Sequence, residues 1–133
     1  MDLPLDEGNP MDYPWEMSMK PGQTVVETRS FRASVKGRMM AAEVEVLTER
    51  LSRDPEAGDV MKGTGGMRKL RFGTGGRGKS GSVRVVYYYY NTSVPVFLLR
   101  VYAKNEKTNL TQAERNALRG LGKALVETYG VRK

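Results

Sequence analysis

The order of periodicities along this 133-residue chain predicts an α+β domain. Three observations carry that expectation. Helical spacing dominates residues 31–53, three strand-like runs follow between residues 67 and 104, and a second helical pattern occupies residues 111–129. Two N-terminal helices and a C-terminal helix packed on a small, mainly antiparallel sheet of about four strands satisfy all three.

Each element has a local reason. Residues 1–22 hold four of the six prolines and four of the eight methionines, so a flexible N-terminal extension is expected there, with the domain proper over residues 23–133. Thr24-Val25-Val26-Glu27-Thr28 is short and β-branched, as a strand requires. Ser30 is the expected N-cap of a helix starting at Phe31. Gly37 separates it from a second helix, whose apolar stripe Met40, Val44, Leu47 and Leu51 is flanked by Glu43, Glu45, Glu49 and Arg50. Asp54-Pro55 ends that helix, because the residue before proline avoids the α region. Glu56 to Gly66 then reads as a loop. The last helix starts at the capping box Thr111-x-x-Glu114 and buries Ala117, Leu118, Leu121 and Leu125, with Gly120 and Gly122 each weakening it.

Between these helices lie Met67 to Phe72, Ser82 to Tyr90 and Val96 to Lys104, joined by short turns into an antiparallel meander. The first connection, Gly73-Thr74-Gly75-Gly76-Arg77-Gly78-Lys79-Ser80, matches the phosphate-cradling pattern G-x-x-x-x-G-K-[ST] letter for letter. A nucleotide-binding loop must open a helix whose N-terminus holds the phosphate. Ser82-Val83-Arg84-Val85-Val86-Tyr87-Tyr88 is a strand sequence instead. The motif is therefore expected to be a glycine-rich basic hairpin loop, with Lys79 and Ser80 approaching the phosphates of a polymer.

Composition narrows the chemistry. The absence of cysteine excludes disulfides, thiolate catalysis and zinc–cysteine sites, and suits a cytoplasmic protein; the absence of histidine excludes a paired-histidine ribonuclease. No metal or cofactor is called for. Residues 1–61 carry 7 Lys/Arg against 12 Asp/Glu, whereas residues 62–133 carry 15 against 3. So uneven a distribution points to a polyanion on the basic half, with nucleic acid the favoured partner and no membrane association.

Strand alternation sorts the side chains into two faces. Leu70, Phe72, Val83, Val85, Tyr87, Phe97, Leu99, Val101 and Ala103 are expected inside. Lys69, Arg71, Arg84, Tyr88, Leu98, Arg100, Tyr102 and Lys104 are expected on the opposite, open face, with Lys79 at its rim. A merely solvated face mixes charges; this one carries cations on every strand and no carboxylate before Glu106. Cations that hold phosphates beside tyrosines that stack on bases suit RNA.

Several blocks together resemble one known family. Val25-Val26-Glu27-Thr28, Asp54-Pro55-Glu56-Ala57-Gly58-Asp59-Val60, Gly63-Thr64-Gly65-Gly66-Met67-Arg68-Lys69-Leu70-Arg71, Gly78-Lys79-Ser80-Gly81 and Tyr102-Ala103-Lys104-Asn105-Glu106-Lys107 look like the RelE/ParE superfamily of bacterial toxins, closest to its HigB-like branch. The resemblance spans about residues 23–129. It implies the RelE-like fold and the toxin of a type II toxin–antitoxin pair, a ribosome-dependent endoribonuclease that cuts translated messenger RNA and is neutralised by a cognate antitoxin protein. It also implies a metal-independent site of Lys, Arg and Tyr. Lys69, Arg71, Arg84 and Lys104 match the family's basic positions, whereas Met67 and Asn105 stand where lysine and arginine are common. Catalytic roles then fall to Lys69 or Lys104 as base, Arg71 and Arg84 as charge stabilisers, and Tyr102 as proton donor. Arg68, Lys79, Arg100, Lys107 and Tyr88 are expected to grip RNA or the ribosome. A ParE-like gyrase inhibitor and a non-catalytic RNA- or ribosome-binding protein are the alternatives.

Overall fold

A computed structural model describes residues 22–74, 81–106 and 109–130. Its elements in chain order are β1 (Val25–Glu27), α1 (Arg29–Val35), α2 (Ala41–Arg53), β2 (Asp59–Val60), β3 (Met67–Gly73), β4 (Ser82–Tyr88), β5 (Val96–Ala103) and α3 (Gln112–Tyr129). The expected α+β class and three helices are present. The sheet, however, has five strands in the order β1-β5-β4-β3-β2, and β1 runs parallel to β5. Two features make it larger and more mixed than the expected four-stranded sheet. Asp59–Val60, read as loop, pairs with Lys69 and Arg68 as a two-residue edge strand. β1 reaches β5 across some 70 residues of sequence, a pairing that local propensity does not encode.

The central meander β3-β4-β5 is antiparallel as expected, and Gly73 opposite Ser82 closes the glycine-rich connection as a hairpin. The G-x-x-x-x-G-K-S motif thus precedes a strand, which removes the helix N-terminus a nucleotide loop depends on. Residues 75–80, Lys79 among them, lie outside the described residues, as do Lys107 and the N-terminal extension up to residue 21.

Helices cover both faces of the sheet. On one, α1 and α2 bury Phe31, Leu47 and Leu51 against Leu70, Phe72, Val83, Val85, Tyr87, Leu98 and Val101. On the other, α3 lays Leu118, Leu125 and Val126 over Met67, Val86, Tyr88, Phe97 and Leu99. A face expected to be open is therefore half roofed. Gly122 explains how closely α3 approaches: a Cβ there would lie 3.2 Å from the Tyr88 ring. The glycine that weakens the isolated helix is what lets it dock.

Helix starts follow polar logic with one displacement. Thr28, not Ser30, caps α1: its Oγ1 accepts from Phe31 N at 3.1 Å and donates to Leu98 O at 2.7 Å. One hydroxyl so ends β1, begins α1 and ties both to β5. Beyond Leu98 the outer edge of β5 has lost its β1 neighbour, and Ser34 Oγ on α1 accepts the Val101 N–H at 2.9 Å. Met40 is the residue preceding α2 and is 58% exposed, so the buried stripe starts at Met39 and continues through Val44, Leu47 and Leu51. At α3 the expected capping box forms, Thr111 Oγ1 accepting from Glu114 N and Glu114 Oε1 from Thr111 N. Among the described residues no helix is long and apolar enough to cross a membrane.

Candidate nucleic-acid interface

The register of the central strands arranges the α3-side face in rows. Met67, Tyr88 and Phe97 form the first, Lys69, Val86 and Arg100 the second, Arg71, Arg84 and Tyr102 the third. Neighbouring strands lie about 4.8 Å apart and alternate residues about 7 Å apart along a strand. The backbones of Lys69, Arg71, Arg84 and Arg100 therefore share a patch of about 10 by 7 Å. α3 covers the first row and Val86 of the second, and leaves Lys69, Arg71, Arg84 and Arg100 at least partly exposed.

A bulge sets the composition of the second row. Val86 pairs with Arg100 but Tyr87 pairs with Leu98, so Leu99 is an extra residue on β5. Before it the alternation is inverted relative to the sequence expectation: Leu98 points into the α1–α2 core, while Phe97 and Leu99 turn toward α3. After it the expectation holds, with Val101 inward and Arg100 and Tyr102 on the cationic face. Without the extra residue, every side chain from one end of β5 would change face.

The patch concentrates positive charge. Arg71 and Arg84 are directly opposed across β3 and β4. Among the described residues the ion pairs Arg38–Glu106 and Arg53–Glu49 do not engage the four patch cations. Arg84 Nη1 donates to Ser82 Oγ at 3.2 Å, the side chain's one hydrogen bond among the described residues, out of five guanidinium N–H donors. Guanidinium and ammonium groups at this density attract an anion and repel a metal cation. Tyr102 is 6% exposed and stands opposite Arg84, at the wall of the patch.

Not every expected residue joins this patch. Arg68 lies on the other face, where its Nη1 donates to Gly58 O at 2.7 Å and Glu56 O at 3.3 Å, so it holds the loop before β2. Tyr88 is 4% exposed beneath α3, beside the positions of Gly66 and Gly122, and has no free face for a base. Burial raises its pKa, and Tyr90 adds to the rise. Lys104 is exposed but sits in the turn after β5, one residue past the ladder.

Two supports escape a residue-by-residue reading of the sequence. Tyr87 is fully buried, its hydroxyl donating to Pro55 O at 2.7 Å and accepting from Gly58 N at 2.8 Å. Desolvation raises its pKa in consequence. Gly58 must be glycine there, since a Cβ would fall 2.9 Å from both Lys69 O and Tyr87 Cε1. The Asp54-Pro55-Glu56-Ala57-Gly58 block is thus moored to the strand pair that carries Lys69. Thr64 does the same for the next block: its buried Oγ1 donates to Met61 O and accepts from Met67 N, while Arg115 and Arg119 of α3 donate to Lys62 O and Gly63 O. Gly63, Gly65 and Gly66 have φ of 79°, 74° and 105°, the left-handed region that other residues avoid.

Glu106 is the first carboxylate after the cationic strands, and its hydrogen bonds go to Arg38 and the end of β5. It takes a bidentate pair from Arg38 at 2.8 and 2.9 Å and accepts from Ala103 N at 2.6 Å. The Arg38 hydrogen bonds, with that backbone bond second, hold its pKa down at about 2.

Residues 27–130 match the model described as RelE toxin of the RelE/RelB toxin–antitoxin system. The chain belongs to the RelE toxin family. Membership makes it a toxin of a toxin–antitoxin system, with an antitoxin as partner. In this RelE-family chain, the blocks that carry the resemblance are the mooring loop at Gly58, the arginine-held turn at Gly63–Gly66 and the strands of the cationic patch.

Proposed function

We propose that this protein is a ribosome-dependent endoribonuclease of the HigB-like branch, acting in the cytoplasm on translated messenger RNA. The observation that carries the reading is the direct opposition of Arg71 and Arg84 across two strands. Like charges in that position destabilise a sheet, and an anion between them relieves the repulsion. A scissile phosphate is such an anion.

In this reading the phosphate sits over Arg71 and Arg84, with Lys69 and Arg100 in the adjacent row. A base removes the proton from the ribose 2′-OH, the oxygen attacks the adjacent phosphorus, and the bond to the 5′-oxygen breaks as that oxygen takes a proton. The products are a 2′,3′-cyclic phosphate and a 5′-hydroxyl end. Lys69 is better placed as base than Lys104, which lies beyond the ladder, and Tyr102, opposite Arg84, is the proton donor. The two arginines stabilise the charge that builds on the phosphorane oxygens. Dependence on the ribosome rests on the family blocks, with Lys79 and Lys107 gripping ribosomal or messenger RNA.

The test maps RNA 5′ ends on translated messages after induction. Arg84→Ala removes both new ends and growth inhibition while circular dichroism stays native. Full cleavage by Arg84→Ala overturns the assignment. Arrested replication with intact messages assigns the protein to gyrase inhibition instead, and growth arrest with neither effect to RNA binding without cleavage.

A further inference from the structure

Beside the cationic patch, the space between α3 and the β1–β5 edge opens into a cavity of about 680 Å³. Its walls are Val86 and Leu99 of the sheet and Leu118, Leu121 and Leu125 of α3, and Thr28 also lines it. Arg29 and Arg100 stand on its rim, both exposed. Leu121 remains 39% exposed although it lies on the apolar stripe of its helix. A space of this size, apolar inside, with two arginines and the single carboxylate of Glu114 in its lining, accommodates aromatic side chains on an acidic segment.

The chain itself contains such a segment. Residues 1–21 carry five carboxylates against Lys20 alone. Within them, Met11, Tyr13, Trp15, Met17 and Met19 alternate with Asp12, Pro14, Glu16 and Ser18, so an extended backbone puts every apolar side chain on one face. Reach agrees as well. Thr28 lies six residues after Gly22, and Trp15 seven residues before it, so a segment retracing β1 spans up to about 24 Å, long enough to reach Thr28 in the cavity lining.

We infer that residues 11–19 dock along the groove between α3 and the β1–β5 edge, with Tyr13 and Trp15 in the cavity and Asp12 and Glu16 toward Arg29 and Arg100. This places the acidic end of the molecule against its basic end. Because Arg100 and Tyr102 belong to both the groove and the cationic patch, the docked segment competes with a polyanion for that side of the face. The docking holds whatever reaction the patch performs.

Trp15 is the only tryptophan in the chain and reports on its own surroundings. In the full-length protein, its emission should be shifted to the blue of the urea-unfolded chain and shielded from acrylamide. Both properties should be independent of protein concentration. Leu121→Glu, at a half-exposed position that leaves the helix intact by circular dichroism, should return emission and quenching to the unfolded values. Salt at 1 M should weaken the shielding in Asp12 and Glu16 wild type but not in the Asp12→Asn, Glu16→Gln variant. An emission already at the unfolded value overturns the inference, as does a blue shift that survives Leu121→Glu. A blue shift that appears only at high concentration assigns the groove to a second copy, and an exposed Trp15 combined with loss of antitoxin binding in Leu121→Glu assigns it to the antitoxin; either outcome refutes docking in cis.

Discussion

Replacing Tyr87 by phenylalanine isolates one oxygen atom. The ring stays in the core between α2 and the sheet, but the buried Gly58 N loses its acceptor and the part-buried Pro55 O its donor. Each orphaned buried group costs about 1–3 kcal/mol, and partial relaxation of the loop brings the pair to about 2–4 kcal/mol in all. Unfolding entropy of about 2.1 cal/mol/K per residue amounts to about 0.28 kcal/mol/K for a chain of this length, so Tm should fall by about 7–14 °C. Thermal unfolding followed by circular dichroism measures it, with Tyr89→Phe as the control that should shift Tm by less than about 2 °C. The raised pKa of Tyr87 adds a second signature. Its folded pKa lies above the unfolded value of about 10, so its contribution is complete below that pH and is lost as pH rises through the folded value. Tyr87→Phe should therefore flatten the alkaline limb of the stability curve above about pH 10. A Tm within 2 °C of wild type would refute the view that this hydroxyl moors the Pro55–Gly58 loop.

Other perturbations separate local from tertiary effects. Gly120→Ala, where an added Cβ meets nothing within 4 Å, should raise stability by about 0.5–1 kcal/mol in denaturant titration, whereas Gly122→Val drives a branched side chain into Tyr88 and Met67 and should lower it by about 1–3 kcal/mol. Glu106, whose carboxyl pKa is depressed to about 2, supports the fold fully above about pH 4.5 and loses that support as pH falls toward 2; Glu106→Gln should remove this part of the acid limb in a pH series of thermal melts. Because the glycine-rich motif links two strands, isothermal titration with ATP and magnesium should give no saturable heat for wild type or Lys79→Ala. Saturable binding lost on Lys79→Ala would restore the nucleotide reading.

Much of the site was legible because strand alternation and charge are local properties. The spacing of Lys69, Arg71 and Arg84 put them on one face before any fold was known, and β-branched residues after Ser80 ruled out a phosphate-binding helix. The misplaced residues fail for an equally definite reason. Tyr88 has the parity of the cationic face, yet burial depends on α3, whose arrival is permitted by Gly122, 34 positions later in the chain. Arg68 shares the basic block with Lys69, but its neighbour along the strand necessarily faces the other way, and the carbonyls of Glu56 and Gly58 claim it. Phe97 and Leu98 exchanged faces because a single extra residue at Leu99 resets the count.

Sequence by itself determined the class of elements, the capping box of α3, the hairpin around the glycine-rich motif and the sign of charge on the candidate face. These follow from interactions between residues a few positions apart. Only the tertiary structure decided the parallel seat of β1, the bulge that brings Arg100 beside Val86, the roof that α3 lays over Tyr88, and the cavity left at its edge. Each of those depends on which distant surfaces meet and how closely, a contest of packing and backbone hydrogen bonding that no short stretch of sequence can settle alone.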